Sequence, residues 1–310
     1  MRDSSRQILD EKVDEFIKTI DEGNLVKDEG TENILGLEGY HLLPGDLPLH
    51  EFYMDELHYF SKCLIDSALK THTNAKTTDF SAYWGWTAAL VSHTERNQDF
   101  ERYQEILRDY YYLVHSALVS ERHSRLVREN HDLHMTLSRL NPSLEEVTRG
   151  SGLPLAATFG FSVLEGLLKR RCSDLSPDTG INVWSGFEKL IDDSDVSPVV
   201  KEVLQTIDDL DRYDRQVLER KMSGVPDLSD KDSLLWLVKE QRNYNVHGEG
   251  STQAIGSLVL TLCSLVLLDE LATCNYQETR TEVLQDMQHS QSTPMIHSKS
   301  PRAFYPVEVL

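Results

Sequence analysis

The chain has 310 residues, with 51 acidic against 31 basic side chains, a formal net charge of −20, and 39 % hydrophobic residues. That length holds one large or two ordinary domains with real cores, and the acid excess argues against generic duplex-DNA binding, because phosphate affinity comes from basic surface. It suits a salty cytoplasm such as a halophile's, where high ionic strength screens the repulsion among carboxylates. In chain order, Ile8, Val13, Phe16, Ile17 and Ile20 predict a short amphipathic helix that Gly23-Asn24 ends. The first residues, Met1 to Arg6, run into this charged stretch without the apolar region of a signal peptide. Residues 23–50 carry Gly36, Gly39, Pro44, Gly45 and Pro48 and read as loop. A second helix is expected over 51–70 from Phe52, Leu57, Phe60, Leu64, Ile65 and Leu69, and a third after Asp79, which is a fair cap, through Trp84, Trp86, Leu90 and Val91.

From residue 99 a long helical pattern extends toward 140, with a break expected near Ser120 where apolar residues thin out, and Asn141-Pro142 ends it. The segment Arg149-Gly150-Ser151-Gly152-Leu153-Pro154 is the best boundary, since glycines there precede a proline able to start a helix. Beyond it helices are expected over 155–172, 184–191, 198–222, 234–245 with Asp230 as cap, and 252–273. The last contains the longest apolar run, 258–268, which reads as a buried helix too short to cross a bilayer. The expectation is an all-α chain in three parts: a helical region over 1–150, an up-and-down helical bundle over 151–274, and a flexible tail over 275–310 rich in Gln, Ser, His and Pro. Cys63, Cys172, Cys263 and Cys274 match no zinc or redox spacing, so a reduced, cytoplasmic setting is the simplest account.

One stretch carries chemistry rather than packing: Arg242-Asn243-Tyr244-Asn245-Val246-His247, followed by Gly248 and Gly250. On an ideal helix Arg242 and His247 point about 140° apart. Both reach one phosphate only if the helix loosens before His247, or if they converge with symmetry mates across a twofold interface. The R-N-x-x-x-H-G form, set between the last two helices of a bundle whose earlier helix reads F-S-V-L-E-G-L-L, resembles the R-x4-6-H signature of the HEPN family (higher eukaryotes and prokaryotes nucleotide-binding). The resemblance covers residues 155–273 and says nothing of the first 150. It implies a HEPN-like bundle that forms a homodimer and cleaves single-stranded RNA without a metal or cofactor, in a stress or antiviral defence role. His247 would move the proton, Arg242 would clamp the phosphate, Asn243 would orient the imidazole, and Glu165 would offer a carboxylate to the same cleft. Tyr244 would stack on a base or pack. The alternative is a catalytically inactive HEPN-like module for dimerisation or ligand binding; an Arg and a His near a helix end also serve as a cap favoured by the helix dipole. In one toxin subgroup a tyrosine lies two residues past the histidine; here that place is Glu249.

Two basic clusters are candidates for an RNA-backbone track: Lys169-Arg170-Arg171, and Arg122, Arg125 and Arg128 at three-residue spacing. Their structural reading is cations at a helix C-terminus and pairing with Glu121 and Glu129. His131 and His134 lie one turn apart but lack the neighbours of a metal site. Tyr83, Trp84, Trp86, Tyr103, Tyr110, Tyr111 and Tyr112 follow helical spacing, which favours packing over a base-stacking platform. The chain has no P-loop, dinucleotide-binding glycine pattern or nucleophile elbow.

Overall fold

A computed structural model describes residues 3–21, 42, 49–71, 78–94, 98–129, 152–172, 181–222, 228, 231–246, 253–272 and 275–289, with the side chains of 3, 20, 21, 78, 98, 99, 121–129, 245, 246, 288 and 289 excepted. The class is all-α; among the described residues the only β pairing is an isolated bridge between Asp209 and Ser233. The helices are α1 (Asp3–Asp21), α2 (Met54–Leu69), α3 (Thr78–Thr94), α4 (Gln104–Glu129), α5 (Gly152–Arg171), α6 (Val183–Asp192), α7 (Pro198–Asp208), α8 (Arg215–Lys221), α9 (Leu234–Val246), α10 (Gln253–Ala272) and α11 (Tyr276–His289).

The long apolar helix α10 is the axis of the molecule. Its face toward α5 carries Gly256, where an added Cβ would collide with the Leu153 carbonyl, so the two backbones touch. Helices α2 and α3 cover its other sides, and α4 lies along α5 with Gly152 of α5 set against Ser116 and Ala117. One apolar core therefore runs across the expected boundary, from Leu9 and Phe16 of α1 through Leu64, Trp86, Tyr110 and Leu164 to Leu268 and Met287. The 20-residue α10 is long and apolar enough to cross a membrane by length and composition, and its apolar window is wholly buried inside the protein, in line with the reading of 258–268 as part of a buried helix.

Several expected boundaries move for local reasons. The pattern over 198–222 is two helices because Asp209 and Asp214 interrupt it: the Asp209 carboxylate accepts from Asp211 N, and that of Asp214 from Gln216 N and Val217 N, each opening a new turn. Helix α4 continues unbroken past Ser120 to Glu129. Asp230, the expected cap of α9, lies outside the described residues. The cap is built instead by Asp208, whose Oδ1 accepts from Leu235 N at 2.9 Å, and by Ser233, whose Oγ accepts from Trp236 N at 3.0 Å. The expected flexible tail contains α11, held by buried Val283 and Met287 one turn apart and by Tyr276, whose hydroxyl donates to the Phe52 carbonyl at 2.9 Å. Residues 290–310 lie outside the described residues.

Buried aromatics do what their spacing predicts. Tyr83, Trp84, Trp86, Tyr103 and Tyr110 are core residues, Tyr111 is half-buried, and Tyr112 faces solvent. Two charged networks cross the core. In one, Asp66 accepts from the Tyr213 hydroxyl at 3.0 Å and from Arg212 Nη2 at 2.9 Å, with Lys62 and Lys70 each 3.5 Å away. In the other, Arg171 bridges α5 to α10.

Candidate functional site

The site begins with the rotation of α5. Successive side chains on a helix diverge by about 100°, so Lys169, Arg170 and Arg171 leave the last turn of α5 in different directions. Arg171 turns inward: its Nε donates to Asp269 Oδ2 at 3.0 Å, and it lies 3.5 Å from Glu270 and 3.4 Å from Asp193. Burial alone would lower its pKa, yet Asp269 and Glu270 outweigh burial and the guanidinium is held above its ordinary value. Arg102 and the Tyr103 hydroxyl close the same network on Glu270, at 2.7 and 2.9 Å. Arg170 donates to the Arg102 carbonyl at 2.7 Å and to the Gly166 carbonyl at 3.1 Å. The expected three-cation RNA track is thus not one surface: Arg171 is 8 % exposed and spans the core, while Arg170 straps α5 to the segment before α4. Only Lys169 turns toward the motif.

Lys169 Nζ donates to Glu165 Oε1 at 2.7 Å, the i, i+4 geometry in which an acid one turn before a lysine stabilises a helix. The other carboxylate oxygen faces α9. There Leu234, Leu235, Leu237, Val238 and Gln241 are buried, and the next residue, Arg242, emerges beside α5 with its side chain 40 % exposed and Nη2 3.2 Å from Glu165 Oε2. That approach is an ion pair without hydrogen-bond alignment, since Oε2 is shielded from water and accepts no hydrogen bond. Arg242 Nη1 makes a long contact of 3.5 Å to Asn243 Oδ1, and Asn243 itself is exposed. Tyr244 is half-buried on the same helix.

Arg242, Asn243 and Glu165, singled out from the sequence as catalytic candidates, therefore form one cluster, with Lys169 as its fourth member. His247, Gly248 and Gly250 lie outside the described residues, as do His131 and His134. Arg122, Arg125 and Arg128 are on α4, and their side chains are outside the described set. Among the described residues no group of three or more His, Cys, Asp or Glu side chains has metal-binding geometry.

Sequence reasoning missed the Arg171 network, although a signal existed: Asp269-Glu270 is an acidic pair at the end of a helix otherwise apolar enough to be core. Acids in such a place call for a buried cation. It also missed His58, which is fully buried with no hydrogen bond closing on either ring nitrogen. A lone histidine on an apolar face gives no sequence signal that separates it from a surface one.

What the cluster can do follows from its parts. Two cations from different helices meet at a half-exposed place, a carboxylate sits between them, and the chain segment that follows carries an imidazole. Cations placed in this way have the chemistry to hold and polarise an oxyanion. Comparison with protein-family models, curated proteins and solved structures finds no match for the chain.

Proposed function

We propose that the protein is a metal-independent endoribonuclease of HEPN type that acts on single-stranded RNA as a homodimer, in stress or antiviral defence. The observation that carries the reading is the 3.2 Å pairing of Arg242 with Glu165 across α5 and α9. It joins the first residue of the R-N-x-x-x-H segment to the acid of the earlier helix, the pair that the resemblance assigns to one cleft. In the reaction the ribose 2′-oxygen attacks the adjacent phosphorus and the bond from phosphorus to the 5′-oxygen breaks. The 2′-hydroxyl proton leaves to a base and the 5′-oxygen takes up a proton, giving a 2′,3′-cyclic phosphate and a 5′-hydroxyl. His247 serves the proton transfers, as an imidazole can both take and give a proton. Arg242 carries the charge that grows on the phosphate oxygens, and Asn243 orients either group. The homodimer part of the reading draws support from Leu155 and Phe159, apolar side chains that α5 leaves 41 % and 57 % exposed.

The test is cleavage of single-stranded RNA by the purified chain in EDTA. The reading expects a cyclic-phosphate product, lost in Arg242→Ala and in His247→Ala. Absence of cleavage by the wild-type chain at both low and high salt would reject it and leave an inactive binding or dimerisation module.

A further inference from the structure

The cation pair of the candidate site is already occupied by a carboxylate of the same chain. Glu165 directs one oxygen to Lys169 Nζ at 2.7 Å and the other to Arg242 Nη2 at 3.2 Å. A carboxylate and the two non-bridging oxygens of a phosphodiester present the same kind of edge to such donors, a pair of oxygens sharing negative charge. Both cations nevertheless keep an outward side, with the Lys169 side chain 50 % and the Arg242 side chain 40 % exposed, while Glu165 is 15 % exposed beneath them. The grip on Arg242 is also incomplete. Glu165 Oε2 accepts no hydrogen bond, and the guanidinium's contact with Asn243 is long at 3.5 Å. A guanidinium has several N–H donors in a fixed plane, so this one retains donors for a second anion.

We propose that Glu165 is a resident competitor: it holds Arg242 and Lys169 while no ligand is bound, and a phosphodiester of single-stranded RNA takes the two cations from it. The choice of phosphodiester rests on the ribonuclease reading; the competition itself rests on the geometry of the three side chains. With Glu165 ionised the cluster carries one net positive charge, and without it two. The carboxylate therefore sets how strongly the site attracts an anion in a chain whose overall charge opposes any polyanion.

Glu165→Gln tests this, because it removes the charge while keeping the shape and an acceptor for Lys169. Binding is measured by fluorescence anisotropy with a single-stranded 2′-O-methyl oligoribonucleotide, which lacks the attacking hydroxyl, in EDTA at fixed salt. Glu165→Gln is expected to bind about two- to fivefold more tightly than wild type with a steeper loss of affinity on adding salt, and Arg242→Ala added to it is expected to abolish the gain. Glu188→Gln makes the same change in net charge at an exposed position of the adjacent helix α6 and is expected to bind like wild type. Unchanged or weaker binding by Glu165→Gln, absence of binding by either form, or an equal gain in Glu188→Gln overturns the proposal. The ribonuclease reading is judged separately, by wild-type cleavage of unmodified RNA: tighter binding by Glu165→Gln without such cleavage keeps the competitor and rejects the nuclease, and cleavage without the gain does the reverse.

Discussion

His58 makes the fold sensitive to mild acid. Its ring lies between α2 and α10 with no exposed surface, and burial pushes its pKa from 6.5 down to about 4. The Leu268 carbonyl and the Asp55 carboxylate pull the other way and lose to burial, and neither ring nitrogen closes a hydrogen bond of normal geometry. In the unfolded chain the imidazole takes a proton as the pH falls through 6.5, whereas in the folded chain it stays neutral until about pH 4. The unfolded state binds more protons throughout that window, so stability falls as the pH falls. The full loss is about 3 kcal/mol below pH 4, and the part lost between pH 7.5 and 5.5 is about 1.4 kcal/mol. The isoelectric point near 4.9 makes pH 5.5 a practical lower limit for a soluble sample. Urea unfolding of wild type and His58→Leu at these two pH values isolates the effect, because the carboxylates common to both proteins cancel in the difference. The expected outcome is a stability difference between the two proteins that moves by about 1.4 kcal/mol in favour of the variant on acidification. Parallel pH profiles would refute the argument and mean that the ring has access to water or a partner.

Two further substitutions probe what fixes the site in space. Arg171→Met leaves Asp269 and Glu270, which are 2 % and 6 % exposed, without their buried cation; the expected cost is about 3–5 kcal/mol in urea unfolding, and an effect below about 1 kcal/mol would show the network to be solvated. Gly256→Ala drives a methyl into the Leu153 carbonyl where α10 meets α5; a loss of about 1–3 kcal/mol or more is expected, seen as a fall in the thermal midpoint, and an unchanged midpoint would mean that the helices are free to separate.

How much of this was legible in the sequence depends on the range of the interaction. Apolar spacing along one helix reports which face is buried, so the helical class and most helices could be read directly. The same spacing is blind to what the buried face meets. Nothing in it placed α2 and α3 of the first half against α10 of the second, because that contact depends on long-range packing and on glycines small enough to let backbones touch. Short polar residues acted at a range of two or three positions, and the single helix expected over 198–222 failed at Asp209 and Asp214 for that reason. At the start of the expected tail, the Gln- and Ser-rich composition hid Tyr276, Val283 and Met287, few in number but buried on one side of α11. At the candidate site, the resemblance, not helical spacing, named Arg242, Asn243 and Glu165 together, and these three lie in one cluster. Residue type did not foretell that Arg170 and Arg171, which follow the outward Lys169, are structural; a difference of one residue on a helix is a different face.

The acid excess and the buried cations also bear on which nucleic acid such a site would accept. Among the described residues, Arg6 pairs with Glu202, Lys62 with Asp10 and Asp66, Arg102 with Glu270, and Arg212 with Asp66, so these cations are already matched by acids of the same chain. A polyanion approaching from a distance therefore meets mainly the field of unmatched carboxylates. At an ionic strength of about 0.1 M that field is screened over about 10 Å, whereas a contact at the 3.2 Å scale of the Arg242 pair is screened far less. A stiff duplex brings many phosphates within reach of the acids on either side of the cluster. A single strand can offer one phosphate to Arg242 and Lys169 and bend the rest away. On the ribonuclease reading, preference for single strands then follows from where the charges lie, before any base is recognised.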